Sequence, residues 1–157
     1  IDWIGFFMMI VAGFGWAKPV PVNPNYFKKP KEGMAITALA GPVSNFLLAL
    51  LLLLAARLVY VRAMVTGTQP ETLFSFLVNT ASLSVGLGLF NLVPVPPLDG
   101  SKVVAVLLPD RAYNWLMRYE QLGMVVLVVI ISVGIGSNAL DAAIRWVFEL
   151  FCRIVGF

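Results

Sequence analysis

Three long runs without a charged residue dominate the pattern of apolar and polar positions. They cover residues 33–56, 72–93 and 121–140, and each has the roughly 20 residues that a helix needs to cross a bilayer. The second run should end near Val93, because prolines follow and proline disfavours helix in the residue before it. The third run is rich in Val and Ile, which would suggest a strand in water. A lone strand cannot satisfy its backbone hydrogen bonds in lipid, so we predict a helix here as well. The pattern therefore predicts three transmembrane helices.

The segments around these runs predict three further elements. Residues 3–17 are uncharged but short for a span, so they predict a truncated span, a re-entrant piece or a tilted short helix. Residues 18–32 contain four prolines, which favour an extended connector. Residues 141–157 predict an amphipathic C-terminal helix that carries a ridge of alternating, paired charges. The ridge consists of Asp141, Arg145, Glu149 and Arg153.

Composition restricts the class of protein. Of the 157 residues, 60% are hydrophobic and 12% are charged, and the mean hydropathy is +0.91, whereas soluble domains carry about a quarter charged residues. These values exclude a disordered chain and argue against a water-soluble globule. We predict an all-α polytopic membrane protein, with residues 1–157 as a single membrane domain in contact with the lipid bilayer. It would be a bundle of three to four transmembrane helices with a proline-rich re-entrant or edge segment.

The distribution of positive charge predicts the orientation of this bundle. The net charge is +3, which on such a chain indicates juxtamembrane Lys and Arg rather than a nucleic-acid surface. If the three spans alternate in direction, seven of the 11 Lys and Arg fall on one side of the membrane. These seven are Lys18, Lys28, Lys29, Lys31, Lys102, Arg111 and Arg118. The positive-inside rule then places this side, which also carries Asp99, at the cytoplasmic face of the cell membrane.

A few polar residues stand inside the uncharged runs. Gly41 and Asn45 lie one turn apart on the first predicted helix, and Asn91 lies at the end of the second. Small residues let helices approach closely, which gives the glycine a structural interpretation. A side-chain amide in the bilayer needs a partner or a wet cavity. Antiparallel packing of the two helices would bring Asn45 and Asn91 to the same region.

Asp99 follows the proline-broken end of the second predicted helix and is the only carboxylate between Glu71 and Asp110. One interpretation is structural: Asp-Gly is a turn signal, and Asp99 would cap a short helix over residues 101–108. The other interpretation is functional, because an ionisable group inside the membrane is a candidate functional site by default.

Three motifs, in the same order along the chain, resemble those of the site-2 protease family, in particular those of its compact bacterial and archaeal members. The members of this family are intramembrane zinc metalloproteases. The most specific of them is Asn91-x-x-Pro94-x-Pro96-x-x-Asp99-Gly100, which resembles the third core motif of the family. The middle core motif is similar to Gly41-Pro42-x-x-Asn45. Residues 15–24 look like the proline-rich connector of the compact members.

The resemblance implies a function and a set of site residues. Asp99 would be the third ligand of a Zn²⁺ ion, and Asn45 and Asn91 would line the substrate cleft together with Gly41 and Pro94. The complete protein would hydrolyse peptide bonds in or near the transmembrane segments of other membrane proteins. The proline-rich connector would be a re-entrant or edge segment that pairs with an extended substrate.

One core motif of the family has no counterpart in the sequence. That motif is H-E-x-x-H on a helix, in which two His bind zinc and the Glu activates the metal-bound water. The chain contains no histidine, so it holds neither the two His ligands nor the catalytic Glu of that motif. We expect the motif to lie upstream of the first residue, and the chain alone to be inactive.

Two other function classes fit the same bundle. A non-catalytic membrane scaffold or binding module is favoured by the absence of histidine. A transporter fragment fits Asn45 and the helix broken at Pro94, but it does not account for residues 91–100 as a unit. An H-E-x-x-H motif in the reading frame upstream of the first residue would discriminate the protease from both alternatives.

Overall fold

The computed structural model describes residues 3–12, 22–23, 26–68, 70–134 and 136–157 of the chain. Within these residues the structure is all-helical and contains no strand, which confirms the all-α prediction. The helices are α1 (Trp3–Ala12), α2 (Pro30–Thr66), α3 (Glu71–Asn91), α4 (Asp99–Ala105), α5 (Asp110–Arg118), α6 (Glu120–Val133) and α7 (Ser137–Val155).

Two of these helices, α2 and α3, are long and apolar enough to cross a membrane. Helix α2 has 37 residues, about 55 Å at 1.5 Å per residue, so it is longer than a bilayer core of about 30 Å. It begins at Pro30, which suits the first turn because proline lacks an N–H and the N–H groups of that turn have no partner within the helix. It ends at Thr66, and Gly67 after it has a φ of +67°. The helix therefore exceeds the predicted span 33–56 at both ends.

The proline-rich connector is consequently shorter than predicted at its C-terminal side. Residues 30–32 belong to α2, and Lys29 before them has an extended backbone with φ −128° and ψ 95°. Residues 13–21 and 24–25 lie outside the described residues, so the re-entrant or edge role of the connector stays a prediction. Helix α1 covers the first ten residues of the predicted segment 3–17, and the last five lie outside the described residues as well.

Helices α2 and α3 pack antiparallel, and their contact forms the core. Tyr60 and Phe74 lie with ring centroids 6.2 Å apart at one end, and Gly88 lies against Phe46 further towards the other. Between these levels, the side chains of a small cluster are fully buried: Ala49, Leu53, Ala81 and Val85. This order of contacts places the start of α2 beside the end of α3.

Helix α7 covers the contact between α2 and α3. The ring of Phe151 meets Phe46 edge-on with centroids 6.1 Å apart. Phe157, just beyond the end of α7, meets Phe74 with centroids 5.9 Å apart. The guanidinium carbon of Arg57 lies 5.6 Å from the centroid of the Phe157 ring. The contacts of Phe157 join the three helices at the end of the bundle opposite to the start of α2, and Phe151 joins α7 to the middle of α2.

The structure differs from the sequence prediction for the third span and for the charged ridge. Helix α6 ends at Val133 and α7 begins at Ser137, so the predicted helix over 121–140 is divided, and the two parts are bent by 86°. Gly134 and Gly136 adopt φ values of +73° and +81°, which interrupt a right-handed helix. Helices α6 and α7 would form a third span only as a bent pair. The four ridge residues are exposed, and within α7 they form no ion pair.

Candidate functional site

The candidate site lies where the start of α2, the end of α3 and the short helix α4 meet. Helix α3 ends at Asn91, two residues before the predicted Val93, and a tight turn over residues 92–98 follows. Backbone hydrogen bonds brace this turn, from the Val95 N–H to the Val93 carbonyl at 2.8 Å and from the Leu98 N–H to the Val95 carbonyl at 2.9 Å. Helix α4 then begins at Asp99. The prolines end α3 and reverse the chain, which brings α4 back onto α2.

The structure brings Asp99 and Gly41 together, although they are 58 positions apart in the sequence. A β-carbon built on Gly41 would lie 3.2 Å from Oδ2 of Asp99, which is tighter than an ordinary van der Waals contact. The carboxylate therefore lies over a part of α2 that has no side chain. Asp99 is half-buried there. It lies against α2, a predicted transmembrane helix, and not on an exposed loop.

Gly100 explains how the chain turns so sharply at this point. A β-carbon on Gly100 would overlap the backbone of Leu92 and lie 2.7 Å from the Val93 carbonyl oxygen. Only glycine allows this approach. The glycine of the Asp-Gly pair is thus required by the close packing of α4 against the backbone just after α3, and not by an exposed turn.

The interpretation of Asp99 as a helix cap is wrong. Leu98 occupies the N-cap position of α4, with an extended backbone and no side-chain cap hydrogen bond. Asp99 is the first residue of the helix, and the hydroxyl of Ser101 donates a hydrogen bond of 2.7 Å to the Leu98 carbonyl. Asp99 therefore follows the N-cap position of α4 instead of occupying it.

The remaining site residues from the sequence analysis lie on α2, at the end of α3 and in the turn that follows α3. Asn45 follows Gly41 by one turn of α2, and its backbone carbonyl accepts a hydrogen bond of 3.0 Å from the hydroxyl of Ser84 on α3. The side chains of Asn45 and Asn91 are half-buried, and Pro94 is exposed. Two open cavities, of about 510 Å³ and 380 Å³, lie elsewhere in the described structure, and neither is lined by these residues. The cleft role of these residues stays a prediction.

Sequence reasoning missed Lys31, which contacts the segment after α4. Its Nζ lies 2.6 Å from Oδ1 of Asp110, donates a hydrogen bond of 3.0 Å to the Leu108 carbonyl, and lies 5.0 Å from the centroid of the Tyr113 ring. The hydrogen bond and the charge of Lys31 hold the pKa of the Asp110 carboxyl below its ordinary value of 3.8. No local pattern reveals this contact, because its partners are 77 or more positions from Lys31.

The described residues contain no cluster of three or more His, Cys, Asp or Glu that could hold a metal ion. A zinc site takes about three or four protein ligands, among which carboxylates are common. Asp99 fits the role of one such ligand, but the chain has no histidine. The part of the chain that the structure describes therefore forms no complete zinc site by itself, and any histidine ligand would come from outside these 157 residues.

Comparison with known proteins places the chain in a family. Residues 6–134 match the model of peptidase family M50. The chain is 37% identical over 146 residues, 89% of its length, to "Putative zinc metalloprotease YwhC" of Bacillus subtilis, of which it covers 64%. It is 29% identical over 89 residues, 57% of its length, to "Zinc metalloprotease MJ0392" of Methanocaldococcus jannaschii, of which it covers 24%. No solved structure matches the chain. The chain belongs to peptidase family M50, the site-2 protease family.

Proposed function

We propose that the complete protein is an intramembrane zinc metalloprotease that hydrolyses peptide bonds in or near the transmembrane segments of other membrane proteins. The observation that carries this proposal is the Asp99 carboxylate, which lies against Gly41 of α2, a helix long and apolar enough to span a membrane. An ionisable group beside a membrane-spanning helix is a candidate functional group. Membership of the M50 family supports the same conclusion.

The proposal gives each site residue a role. Asp99 would be one of the zinc ligands, and a bound zinc ion would polarise the scissile carbonyl and lower the pKa of a water molecule. Gly41 leaves room for the carboxylate itself, because a β-carbon there would lie 3.2 Å from Oδ2 of Asp99. The amides of Asn45 and Asn91 would hold the backbone of an unwound substrate, whose N–H and C=O groups need partners in lipid. Pro94 ends α3 and shapes the rim of this cleft.

The chain alone supplies one metal ligand of this proposed site and no histidine. We therefore propose that residues 1–157 are inactive without the remainder of the protein, which would contribute two His ligands and the catalytic Glu. The absence of histidine is also the feature that favours the second candidate, a non-catalytic membrane scaffold with the same bundle. The two candidates differ in whether the complete protein binds zinc.

We also propose that the protein lies in the cell membrane with Asp99 at the cytoplasmic side. The support is the excess of Lys and Arg at this end of the predicted bundle, seven of 11 in the chain, under the positive-inside rule. Labelling of single cysteines in intact cells tests this orientation, with Lys102→Cys at the Asp99 end and Arg62→Cys at the other, both in a Cys152→Ser background. A membrane-impermeant reagent applied from outside should label residue 62 alone, and labelling of residue 102 would overturn the orientation.

The decisive experiment measures the metal content and the proteolytic activity of the complete protein. Wild type should contain about one zinc per chain, as a three-ligand catalytic site does, and should cleave a transmembrane substrate. Asp99→Asn should lose both, because an amide is a weaker metal ligand than a carboxylate. Asp141→Asn is the matched control, since Asp141 is exposed on α7, and it should retain both. Zinc content that is unchanged in Asp99→Asn would overturn the ligand role.

A further inference from the structure

Helix α4, which begins with Asp99, runs back along the first turns of α2. Asp99 lies at Gly41, and the segment after α4 lies at Lys31, ten positions earlier on α2. Ten residues of helix span about 15 Å, and the seven-residue helix α4 with its short connector spans a similar distance. The two helices are therefore antiparallel, and the α4 segment contacts α2 at both of its ends.

The buried residues of α4 and of the first turns of α2 are all small. Ala35 and Ala38 on α2 are buried, and Ser101 and Ala105 on α4 are buried as well. Small residues allow a close approach of the backbones. They offer few projections that interlock, so they fix the position of one helix along the other less firmly than large side chains do. Asp99 and Gly100 fix the N-terminal end of α4, so the register of its C-terminal end depends on a further contact.

The contacts of Lys31 supply such a restraint. The Nζ of Lys31 is shared between the Asp110 carboxylate, the Leu108 carbonyl and the face of the Tyr113 ring. The Lys31 side chain is 27% exposed, and that of Asp110 is 86% exposed. By contrast, the neighbouring pair of Lys29 and Glu32 is 73% and 54% exposed and joins two residues of the same chain segment. Only the first set of contacts connects α2 to the segment after α4, and we call this set the Lys31 clamp.

We propose that Lys31 is a positioning residue, which fixes the register of α4 along α2 and thereby holds the Asp99 carboxylate against Gly41. Without the clamp, the C-terminal end of α4 is released, and the helix can slide or fray over its small-residue interface. The consequence for catalysis rests on the proposed function, but the consequence for the α4 segment does not. Lys31 itself touches neither Asp99 nor a substrate in this account.

Amide hydrogen exchange on the complete protein in lipid nanodiscs tests the proposal. Lys31→Met retains the apolar stem of the lysine and removes its charge and donors. It should raise exchange over residues 99–110 roughly two- to five-fold, the change expected for the loss of a partly shielded ion pair. Exchange over the core of α3 should stay as in wild type. Lys29→Met is the matched control and should leave residues 99–110 unchanged.

Two further variants distinguish the clamp from a general loss of stability. Lys31→Arg keeps the charge and the donors and should restore most of the protection, whereas Asp110→Asn should raise exchange over residues 99–110 less than Lys31→Met does. Equal exchange in Lys31→Met and Lys29→Met would overturn the proposal, and so would a rise spread over every helix.

Zinc content and kinetics give a separate readout. In an active wild type, Lys31→Met should lower kcat and zinc occupancy while KM stays nearly constant. A displaced Asp99 weakens metal binding but leaves the substrate cleft in place. If the wild-type protein contains no zinc, the proposed function fails, and the exchange experiment still decides whether Lys31 positions α4. If the wild type is active and contains zinc but Lys31→Met leaves the exchange pattern unchanged, the proposal about Lys31 is wrong and the proposed function stands.

Discussion

The Asp99 carboxylate lies against Gly41 so closely that a β-carbon on the glycine would sit 3.2 Å from Oδ2. The two residues come from different motifs of the sequence, and the prolines between α3 and α4 bring them together. The contact places the only carboxylate between Glu71 and Asp110 against a helix long enough to span a membrane. Its consequence is that the size of residue 41 controls the position of the carboxylate.

Substitution of Gly41 should therefore impair the site without unfolding the bundle. Gly41→Ala requires Asp99 to move by a few tenths of an ångström, and Gly41→Val requires a larger shift. We expect zinc content and proteolysis of the complete protein to fall in the order glycine, alanine, valine. Gly86→Ala is the matched control, because its β-carbon would lie 3.6 Å from Ile144 Cδ1, an ordinary contact. Full activity in Gly41→Val would show that this contact is unimportant.

Gly88 limits the distance between α2 and α3. A β-carbon on Gly88 would lie 2.7 Å from Cε1 of Phe46, and that ring is held edge-on by Phe151. Gly88→Ala should destabilise the bundle by about 1–3 kcal/mol, as overpacking of a close-packed interior does. Equilibrium unfolding in mixed micelles measures the change. The double variant Gly88→Ala with Phe46→Leu should recover part of the loss, and failure to recover any of it would point to a cause other than this ring.

The hydroxyl of Ser84 stabilises the same helix pair by a hydrogen bond to the Asn45 carbonyl. Ser84 is buried and the bond is 3.0 Å long. Ser84→Ala should cost about 0.5–1 kcal/mol, the usual size of an interhelical hydrogen bond in a membrane protein. Thr80→Ala is the control, because the Thr80 hydroxyl bonds to Phe76 within its own helix, and it should cost less in the same unfolding measurement. If Ser84→Ala and Thr80→Ala lower the stability equally, the loss in Ser84→Ala comes from a change in helix propensity and not from the hydrogen bond to Asn45.

The Lys31 clamp should depend on pH through Asp110. The ammonium of Lys31 lowers the pKa of the Asp110 carboxyl below 3.8, so the carboxylate binds its proton less readily in the folded protein. The contribution to stability is therefore complete above pH 3.8 and is lost as the pH falls through the lower, folded-state pKa. Spin labels at the exposed positions Ile36 and Val104 should report a constant distance at neutral pH and a broader distribution below that pKa.

The control for this pH dependence is Asp110→Asn, which has no carboxyl to titrate at this position. The distance distribution of this variant should already be broad at neutral pH and should change little on acidification. The ion pair of Lys29 and Glu32 has the opposite pH dependence, because Glu32 raises the pKa of Lys29 above 10.5. Its contribution to stability is lost only as the pH rises through that raised pKa. A transition in Asp110→Asn identical to that of wild type would mean that another group titrates.

Much of the fold follows from local properties of the chain. The uncharged runs predict α2 and α3, and the prolines after Val93 predict the end of α3 to within two residues. The division of residues 121–140 was not predicted. Glycine in a membrane helix is compatible both with close packing and with a break, and only the left-handed φ values of Gly134 and Gly136 distinguish the two.

Taken by itself, the sequence determined the class of protein, the positions of its two longest apolar helices and the motifs that contain Asp99, Gly41, Asn45 and Asn91. Hydropathy and proline placement act over one or two helical turns, so they can be read along the chain. Only the tertiary structure decided that Asp99 is the first residue of α4 and lies on Gly41, and that Lys31 contacts Asp110 from 79 positions away. Contacts between distant residues depend on how the helices pack, and packing depends on the small residues of both partners together.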